Sequence, residues 1–289
     1  MQGEVWTVGR LLSWTADHLK KHGSESPRLD AEVLLAHSLG CQRIELYTRF
    51  EEQPGDDPRA TFREFVRQRA QGMPVAYLVG HREFFSLPFR VTKDVLIPRP
   101  ETEHLVVAAI DLAKQVEDTP VICDVGTGSG VIAVCLAHQV PNCLVTAVDI
   151  SPAAIDTARE NATANEVADR ITFLQGDLLT DLPSEPTFDL ILSNPPYVAD
   201  GETDQMAAET RRFEPHQALF AGPKGTEVIE RLVPQAAERL KPGGHLLVEI
   251  SPMIHELARR ILAADERLQP LDTIKDLAGH ERVIAARRI

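Results

Sequence analysis

The sequence contains no apolar run approaching the roughly 20 residues that a membrane-spanning helix requires, so no membrane association is expected. Its opening segment, MQGEVWTVGR, has no basic stretch followed by an apolar core. A secretion signal is therefore not expected either, and the chain reads as cytoplasmic. Cysteine is scarce: Cys41, Cys123, Cys135 and Cys143 form no CxxC pair and no cluster with histidine, which gives no reason to expect a disulfide framework or a metal site. Cys123 and Cys135 read instead as core thiols. Positive charge is deficient, with 30 Lys and Arg against 43 Asp and Glu for a net −13. Residues 1–90 balance 12 basic groups with 12 acidic ones, so the rest of the chain carries the whole excess. A protein that grips a phosphate backbone shows the reverse. A direct nucleic-acid substrate is therefore disfavoured, although a local basic patch could escape such a count.

What is present falls into three parts. Residues 1–72 have helical spacing and no strand-like runs. Val5, Val8, Leu11, Leu12 and Leu19 suit one helix, and Leu29, Val33, Leu34, Leu35 and Leu39 suit a second that Gly40 closes; Phe62, Phe65 and Val66 suit a third. Such a bundle is too small to be catalytic, and reads as a stabilising appendage or a docking module for a macromolecular partner. Residues 73–100, short apolar runs around Gly80 and Pro88, read as a β-hairpin linker stiffened at its exit by Pro98 and Pro100. Residues 101–289 read as a separate, larger domain. Its first helix, over residues 105–113, is expected to be capped by Glu101 or Thr102.

From Pro120 onward strand and helix patterns alternate. Strands are expected at 121–125, 144–149, 171–175, 188–193 and 245–250, then near 268–273 and at 281–288. Helices are expected over 131–137, 153–164, 227–240 and 254–264, with Ser151 and Pro152 as a good start to the second. Residues 198–222 read as a long loop, and LKPGG leads from the helix over 227–240 into the strand at 245–250. The alternation implies an α/β fold, a doubly wound sheet with helices on both faces.

Two motifs carry chemistry. In FDLILSNPPYVAD the buried strand Leu190, Ile191, Leu192 stops at Asn194, Pro195, Pro196 and Tyr197. The prolines have no N–H, so nearby carbonyls are left to face something else. Beside an Asn amide and an aromatic ring, at the carboxyl edge of a sheet, they make a slot for a planar nitrogen; a proline-rich strand exit is the alternative. The second motif is DVGTGSG, where Gly126, Gly128 and Gly130 recur between a strand and a helix and Thr127 and Ser129 intervene. Glycines there let a ligand approach the helix N-terminus. The GxGxG spacing departs from the dinucleotide fingerprint and suits a ligand without pyrophosphate, such as S-adenosylmethionine. Asp149, closing the next strand, would hold both ribose hydroxyls. Asp177 would address the adenine amino group or merely cap a turn, and Leu178 would supply an apolar surface for the ring. Asp124 reads either as a solvated strand-end acid or as an orienter of backbone amides or of the ligand's ammonium. Set against a sulfonium methyl donor, the Asn194 side-chain oxygen and the Pro195 carbonyl could accept both hydrogens of an amide and favour charge developing on its nitrogen. Tyr197 could pack over the acceptor plane.

GTGSG, AVDIS, QGDLL and SNPPY resemble the class I S-adenosylmethionine-dependent methyltransferases that modify planar nitrogens. FFSLPFRVTKDVLIPRPETEHLV, EPHQALFAGPKG, KPGGHLLVEI and KDLAGHERVIAAR extend the resemblance over nearly the whole chain to one branch, the PrmC/HemK family of protein-(glutamine-N5) methyltransferases of bacterial peptide chain release factors. The resemblance implies a mostly parallel seven-stranded sheet and a monomer that methylates the glutamine of the release factor's GGQ motif, the N-terminal bundle helping to hold a class 1 release factor. It implies that residues 126–130 bind the donor's methionyl part, Asp149 its ribose and Leu178 its adenine. Asn194, Pro195, Pro196 and Tyr197 would hold the substrate glutamine, with Asn194 also near the donor. Phe84 or Phe85, with Arg99 and Glu101, would line the pocket mouth, although hairpin packing for the first pair and a domain-linking salt bridge for the second are equally open. Two stretches depart from the family pattern, Ser251 to Ile254 after Glu249 and Lys224 to Thr226 in the long loop; both are expected to lie away from the glycine loop and the NPPY turn. An N6-adenine methyltransferase acting on DNA or RNA is the enzymatic alternative, since a flipped base also presents a planar amino group. A dehydrogenase would explain Asp149 but not NPPY, and a binding module without activity predicts damage to Gly128, Asp149 or Asn194 that the sequence does not show.

Overall fold

In the computed structural model, which describes residues 5–185 and 187–289, the first helix begins where a side chain can close it: Thr7 Oγ1 accepts the Arg10 N–H at 3.3 Å. Residues 1–4, part of the opening segment read above for a secretion signal, lie outside the described residues. The chain divides into two units, Met1–Gly80 with Ala207–Phe213, and His81–Met206 with Glu214–Ile289.

The first unit holds α1 (Val8–Lys21), α2 (Pro27–Leu39), α3 (Glu45–Thr48), α4 (Asp56–Arg69) and α5 (Val75–Val79). Pro27 opens α2, and Gly40 ends it at φ 61°, as the spacing predicts. Val8, Leu12, Leu19, Leu34, Leu35, Leu46, Phe62 and Val66 bury one another; Val5, assigned above to the first helix, precedes it and is exposed. The helix Ala208–Phe213 belongs here too. Its Glu209 accepts from Arg69 at 2.5 Å, and Arg69 also donates to Asp30 at 2.7 Å. The chain thus leaves the second unit after Met206 and re-enters it at Glu214.

The second unit opens with the hairpin β1 (His81–Phe84) and β2 (Leu87–Arg90), whose two-residue turn puts Phe85 and Ser86 at φ 51° and 60°. Residues 73–100 therefore divide, α5 going to the first unit and the hairpin to the second. There follow α6 (Thr102–Ala113), β3 (Val121–Val125), α7 (Val131–Gln139), β4 (Leu144–Asp149), α8 (Pro152–Ala164), β5 (Ile171–Gln175) and β6 (Phe188–Ser193). The expected loop contains β7 (Val198–Ala199), α9 (Ala208–Phe213), α10 (His216–Leu219) and β8 (Phe220–Gly222). Then come α11 (Glu227–Arg239), β9 (Leu240–Glu249), α12 (His255–Ala264), β10 (Leu268–Pro270), β11 (Ile274–Lys275) and β12 (Glu281–Arg288).

The main sheet has the order β10-β12-β9-β6-β3-β4-β5, with β11 beside β12. β9, β6, β3, β4 and β5 run parallel and β12 is antiparallel to β9. Side-chain alternation splits the apolar residues between two cores. Ile122, Leu190, Leu192 and Leu247 join α6 and α7, while Cys123, Ile191, Leu246 and Val248 join α11 and α12. After β3 the chain builds outward through β4 and β5, then returns to place β6 on the other side of β3. The carboxyl ends of β3 and β6 therefore flank the switch point, where α/β sheets open a crevice.

Two local expectations are corrected. The strand expected at 245–250 already begins at Leu240, and Gly244 lets it run against β6: a Cβ there would lie 2.9 Å from the Asp189 carbonyl oxygen. Neither Glu101 nor Thr102 caps α6 through its side chain. Thr102 is taken up in the site described below. Among the described residues no helix is long and apolar enough to cross a membrane.

Candidate active site

Between β3 and α7 the glycine loop needs its glycines for two different reasons. Gly126, Gly128 and Gly130 all have positive φ, 73°, 55° and 83°. A Cβ on Gly126 or Gly128 would enter open space, whereas one on Gly130 would lie 3.0 Å from the Ala158 Cβ and 3.2 Å from its Cα. Gly130 thus permits the close packing of the loop on α8. The N–H groups of Gly126 and Thr127 donate to the Val148 carbonyl at 2.8 and 3.0 Å, and the Gly128 N–H donates to Asp149 Oδ2 at 2.8 Å. Asp149 Oδ1 accepts the Ser151 N–H at 2.9 Å, so both carboxylate oxygens are oriented while lone pairs remain. Burial raises the Asp149 pKa above the ordinary range.

Asp124 is not the solvated strand-end acid that was one reading of it. It is fully buried beneath the loop; its Oδ2 accepts the Thr127 hydroxyl at 2.6 Å and the Ala133 N–H at 3.2 Å, while Oδ1 has no partner. Burial pushes its pKa up to about 7. Asn161 on α8, buried, completes the loop's support by donating to the Ser129 carbonyl at 2.8 Å and exchanging hydrogen bonds with the Arg90 backbone. An asparagine inside a helix is poorly favoured, and that was the sequence signal for it.

Across the switch point β6 ends at Ser193, whose hydroxyl donates to the Val125 carbonyl at 2.7 Å and pins the NPPY turn to the residue before the glycine loop. Asn194 donates through Nδ2 to Thr102 Oγ1 at 3.2 Å. Glu249, at the end of the neighbouring β9, is only 2% exposed, with Oε2 unpartnered. Burial raises the Glu249 pKa to about 7. Tyr197 packs on the core beside α11 and α12, and burial pushes its phenol up to about 12.

The two stretches that depart from the family pattern abut this turn, contrary to expectation. A Cβ on Gly225, at φ 78° between Lys224 and Thr226, would lie 2.7 Å from the Tyr197 carbonyl oxygen. Ile254 approaches the same point, its Cγ2 lying 3.5 Å from that Cβ. Pairing of β7 with β8 and of β6 with β9 brings them there.

A cavity of about 470 Å³ is lined by Gly126, Thr127, Gly128, Ser129, Asp149, Asp177, Leu178, Asn194 and Pro196 together with Thr102 and Arg99. Its size is that of a small-ligand site. Gly130, Pro195 and Tyr197 are not part of this lining. Asp177 is held by Arg231, Oδ2 to Nη2 2.5 Å, and Leu178 has φ 56°, a strained conformation for a leucine that places it at the wall. Arg99 pairs with the buried Glu214 at 2.5 Å, and the other oxygen of Glu214 accepts the Ile97 N–H at 3.1 Å. Glu101 faces Arg282 at 4.0 Å and does not line the cavity. Phe84 is core and Phe85 packs against it, the hairpin-packing alternative.

This lining fits S-adenosylmethionine. Two glycines keep the space over the helix N-terminus clear, a half-buried carboxylate with free lone pairs stands beside them, and an apolar side chain lines the cavity from beyond the next strand end. The catalytic domain of hMettl16 in complex with MAT2A 3′UTR hairpin 6 has the same fold, with a TM-score of 0.54 and 16% identity over 77% of this chain and 81% of that one. Fold and site together define a class I S-adenosylmethionine-dependent methyltransferase. Residues 10–80 match the PrmC N-terminal domain, and residues 105–222 match the Methyltransferase small domain. The Release factor glutamine methyltransferase of Rhodopirellula baltica is 51% identical, covering 98% of this chain and 97% of that protein. The proteins of the same name from Koribacter versatilis and Geobacter sulfurreducens are 42% and 38% identical, each alignment covering 98% of this chain and at least 98% of the relative. The chain belongs to the release factor glutamine methyltransferase family.

Proposed function

We propose that this chain transfers a methyl group from S-adenosylmethionine to the side-chain amide nitrogen of the glutamine in the GGQ motif of a class 1 peptide chain release factor, giving N5-methylglutamine and S-adenosylhomocysteine. The observation that carries the reading is the Asn194 amide, set at the switch point with Nδ2 committed to Thr102, which leaves Oδ1 to accept from a planar N–H2 group. Nothing in the comparisons favours the adenine alternative.

When bound, S-adenosylmethionine supplies an electrophilic methyl group. The chain's own residues make a poor nucleophile competent. A carboxamide nitrogen is weakly nucleophilic because its lone pair is delocalised; the Asn194 oxygen and the Pro195 carbonyl take its two hydrogens and favour positive charge on nitrogen as attack proceeds. Tyr197 stays a neutral phenol over the working pH range, since burial raises its pKa, and presents an apolar ring for packing. Residues 126–130 hold the methionyl part, Asp149 the ribose, and Asp177 and Leu178 border the adenine. The helical unit, Met1–Gly80 with Ala207–Phe213, holds the release factor. We read the enzyme as a cytoplasmic monomer without a direct nucleic-acid substrate; its four free thiols suit a reducing compartment.

The test incubates the chain with labelled S-adenosylmethionine and either release factor or duplex DNA, then maps the label. Label on the GGQ glutamine is expected. Label on adenine overturns the reading, as does an Asn194→Ala variant that methylates at the wild-type rate while still binding the donor.

A further inference from the structure

A leucine resists a positive φ, yet Leu178 holds φ 56° at the cavity wall, so the loop that carries it must be fixed from outside. The Gly176 N–H donates to the Asp149 carbonyl at 3.0 Å, which ties the loop to the neighbouring strand end. The other two grips come from α11. The Leu179 N–H donates to Gln235 Oε1 at 2.9 Å, and Arg231 Nη2 donates to Asp177 Oδ2 at 2.5 Å. Arg231 and Gln235 stand one turn apart on that helix, whose opposite face buries Ile229, Leu232, Val233 and Ala236 in the core. Both grips therefore belong to one rigid element.

The Arg231–Asp177 pair is about half exposed at each end, so it adds little to stability. Its effect is on direction. With Oδ2 committed to Arg231, Oδ1 accepts from nothing among the described residues, and Asp177, Leu178 and Arg231 all line the cavity.

We propose that Arg231 and Gln235 are positioning residues that fix the Asp177 carboxylate and the Leu178 side chain against the purine of the donor, Arg231 thereby making the enzyme select a 6-amino purine over a 6-oxo one. This rests on the functional reading above, in which Asp177 and Leu178 border the adenine. An ionised carboxylate only accepts, and adenine offers it the hydrogens of the 6-amino group. A 6-oxo purine sets an oxygen at that place and carries its donor one ring position away, at N1. A carboxylate free to turn about its broad terminal torsion could follow that donor. Held by Arg231, it meets the 6-oxygen and rejects the ligand. Gln235 serves the other half of the loop: by anchoring Leu179 it keeps Leu178 in the left-handed conformation that sets it in the wall.

The experiment measures binding of S-adenosylhomocysteine and of S-inosylhomocysteine to the full chain by calorimetry, for wild type, Asp177→Ala, Arg231→Ala, Arg231→Lys, Gln235→Leu and Gln235→Glu. Wild type is expected to favour the adenosyl compound by about 10- to 100-fold, the range of one hydrogen bond to a charged group. Asp177→Ala abolishes that preference. Arg231→Ala lowers it about 5-fold or more, chiefly by admitting the inosyl compound, and Arg231→Lys, which keeps a donor for Oδ2, restores most of it. A purely structural role for Arg231 would weaken both compounds alike and leave their ratio unmoved. Gln235→Leu weakens both compounds together, and Gln235→Glu, which keeps the acceptor for Leu179, recovers the affinity. An unchanged ratio in Arg231→Ala beside an altered one in Asp177→Ala overturns the proposal, as does wild-type affinity in Gln235→Leu. If Gln235→Leu does not fold, the Arg231 variants decide it alone. A ratio that Asp177→Ala leaves unchanged puts the purine elsewhere, and a wild type that binds neither compound removes the donor from this cavity; either result sinks the functional reading, and the proposal with it.

Discussion

Gly128 and Gly130, two residues apart in one loop, are expected to fail in different ways when each is replaced by alanine. Both hold positive φ, so either alanine carries a left-handed strain of about 1–2 kcal/mol. At Gly130 the new methyl meets the Ala158 Cβ at 3.0 Å and its Cα at 3.2 Å, a helix backbone that cannot give way cheaply, which adds overpacking of about 1–3 kcal/mol. Gly130→Ala should therefore lose about 2–5 kcal/mol of stability, and Gly128→Ala only about 1–2 kcal/mol. Donor binding should separate in the opposite sense. The methyl on Gly128 projects into the cavity and meets nothing of the protein within 4 Å, so its consequence falls on the ligand, a loss of about 10- to 100-fold in affinity, or about 1.4–2.8 kcal/mol. Stability should be followed by circular dichroism in denaturant without donor, because Trp6 and Trp14, the only tryptophans, both lie in the helical unit and do not report on the sheet. Affinity is read by calorimetry with S-adenosylhomocysteine. Equal destabilisation by the two alanines, or wild-type affinity in Gly128→Ala, would falsify the assignment of one glycine to packing and the other to ligand approach.

Other perturbations follow from the same geometry. Gly225→Ala drives a methyl against the Tyr197 carbonyl and should lower kcat about 10-fold or more with donor affinity kept, as a displaced NPPY turn requires; steady-state kinetics with calorimetry would show otherwise if donor affinity fell instead. Asp124 titrates at about 7 in the fold against an ordinary 3.8, so the folded state holds a proton that the unfolded chain has released between those values. The stabilisation it brings is complete below about 4 and is lost as pH rises through about 7. Asp124→Asn keeps an acceptor for Thr127 and Ala133 without the titration, so its stability relative to wild type should improve between pH 4.5 and 8; parallel melting curves for the two proteins across that range would sink the argument.

Much of the site could be read along the chain because its signals are local. The GxGxG spacing between a strand and a helix, the acid closing the following strand and the prolines that stop an apolar run each lie within a few residues. The cavity brings most of them together, with Gly126, Asp149, Leu178 and Asn194 on one wall system. Pro195 and Tyr197, on either side of the lining residue Pro196, do not themselves line it.

The sequence by itself determined the alternation of strands and helices, the helical character of the first unit and the two chemical motifs, because hydrophobic periodicity and proline or glycine punctuation act over neighbouring residues. Tertiary structure alone decided which groups serve those motifs. Thr102 meets Asn194 across 92 residues, Asn161 supports Ser129 across 32, and Ser193 grips Val125 across 68. Only the packed fold could show that Gly225 and Glu249 adjoin the NPPY turn. Nor could sequence tell that Asp124 is buried, since the burial of a strand-end acid depends on what the neighbouring strands and helices cover. Hydrogen bonds across such separations leave no periodic trace in the chain; they exist only once the sheet order β9-β6-β3-β4 has set the strand ends side by side.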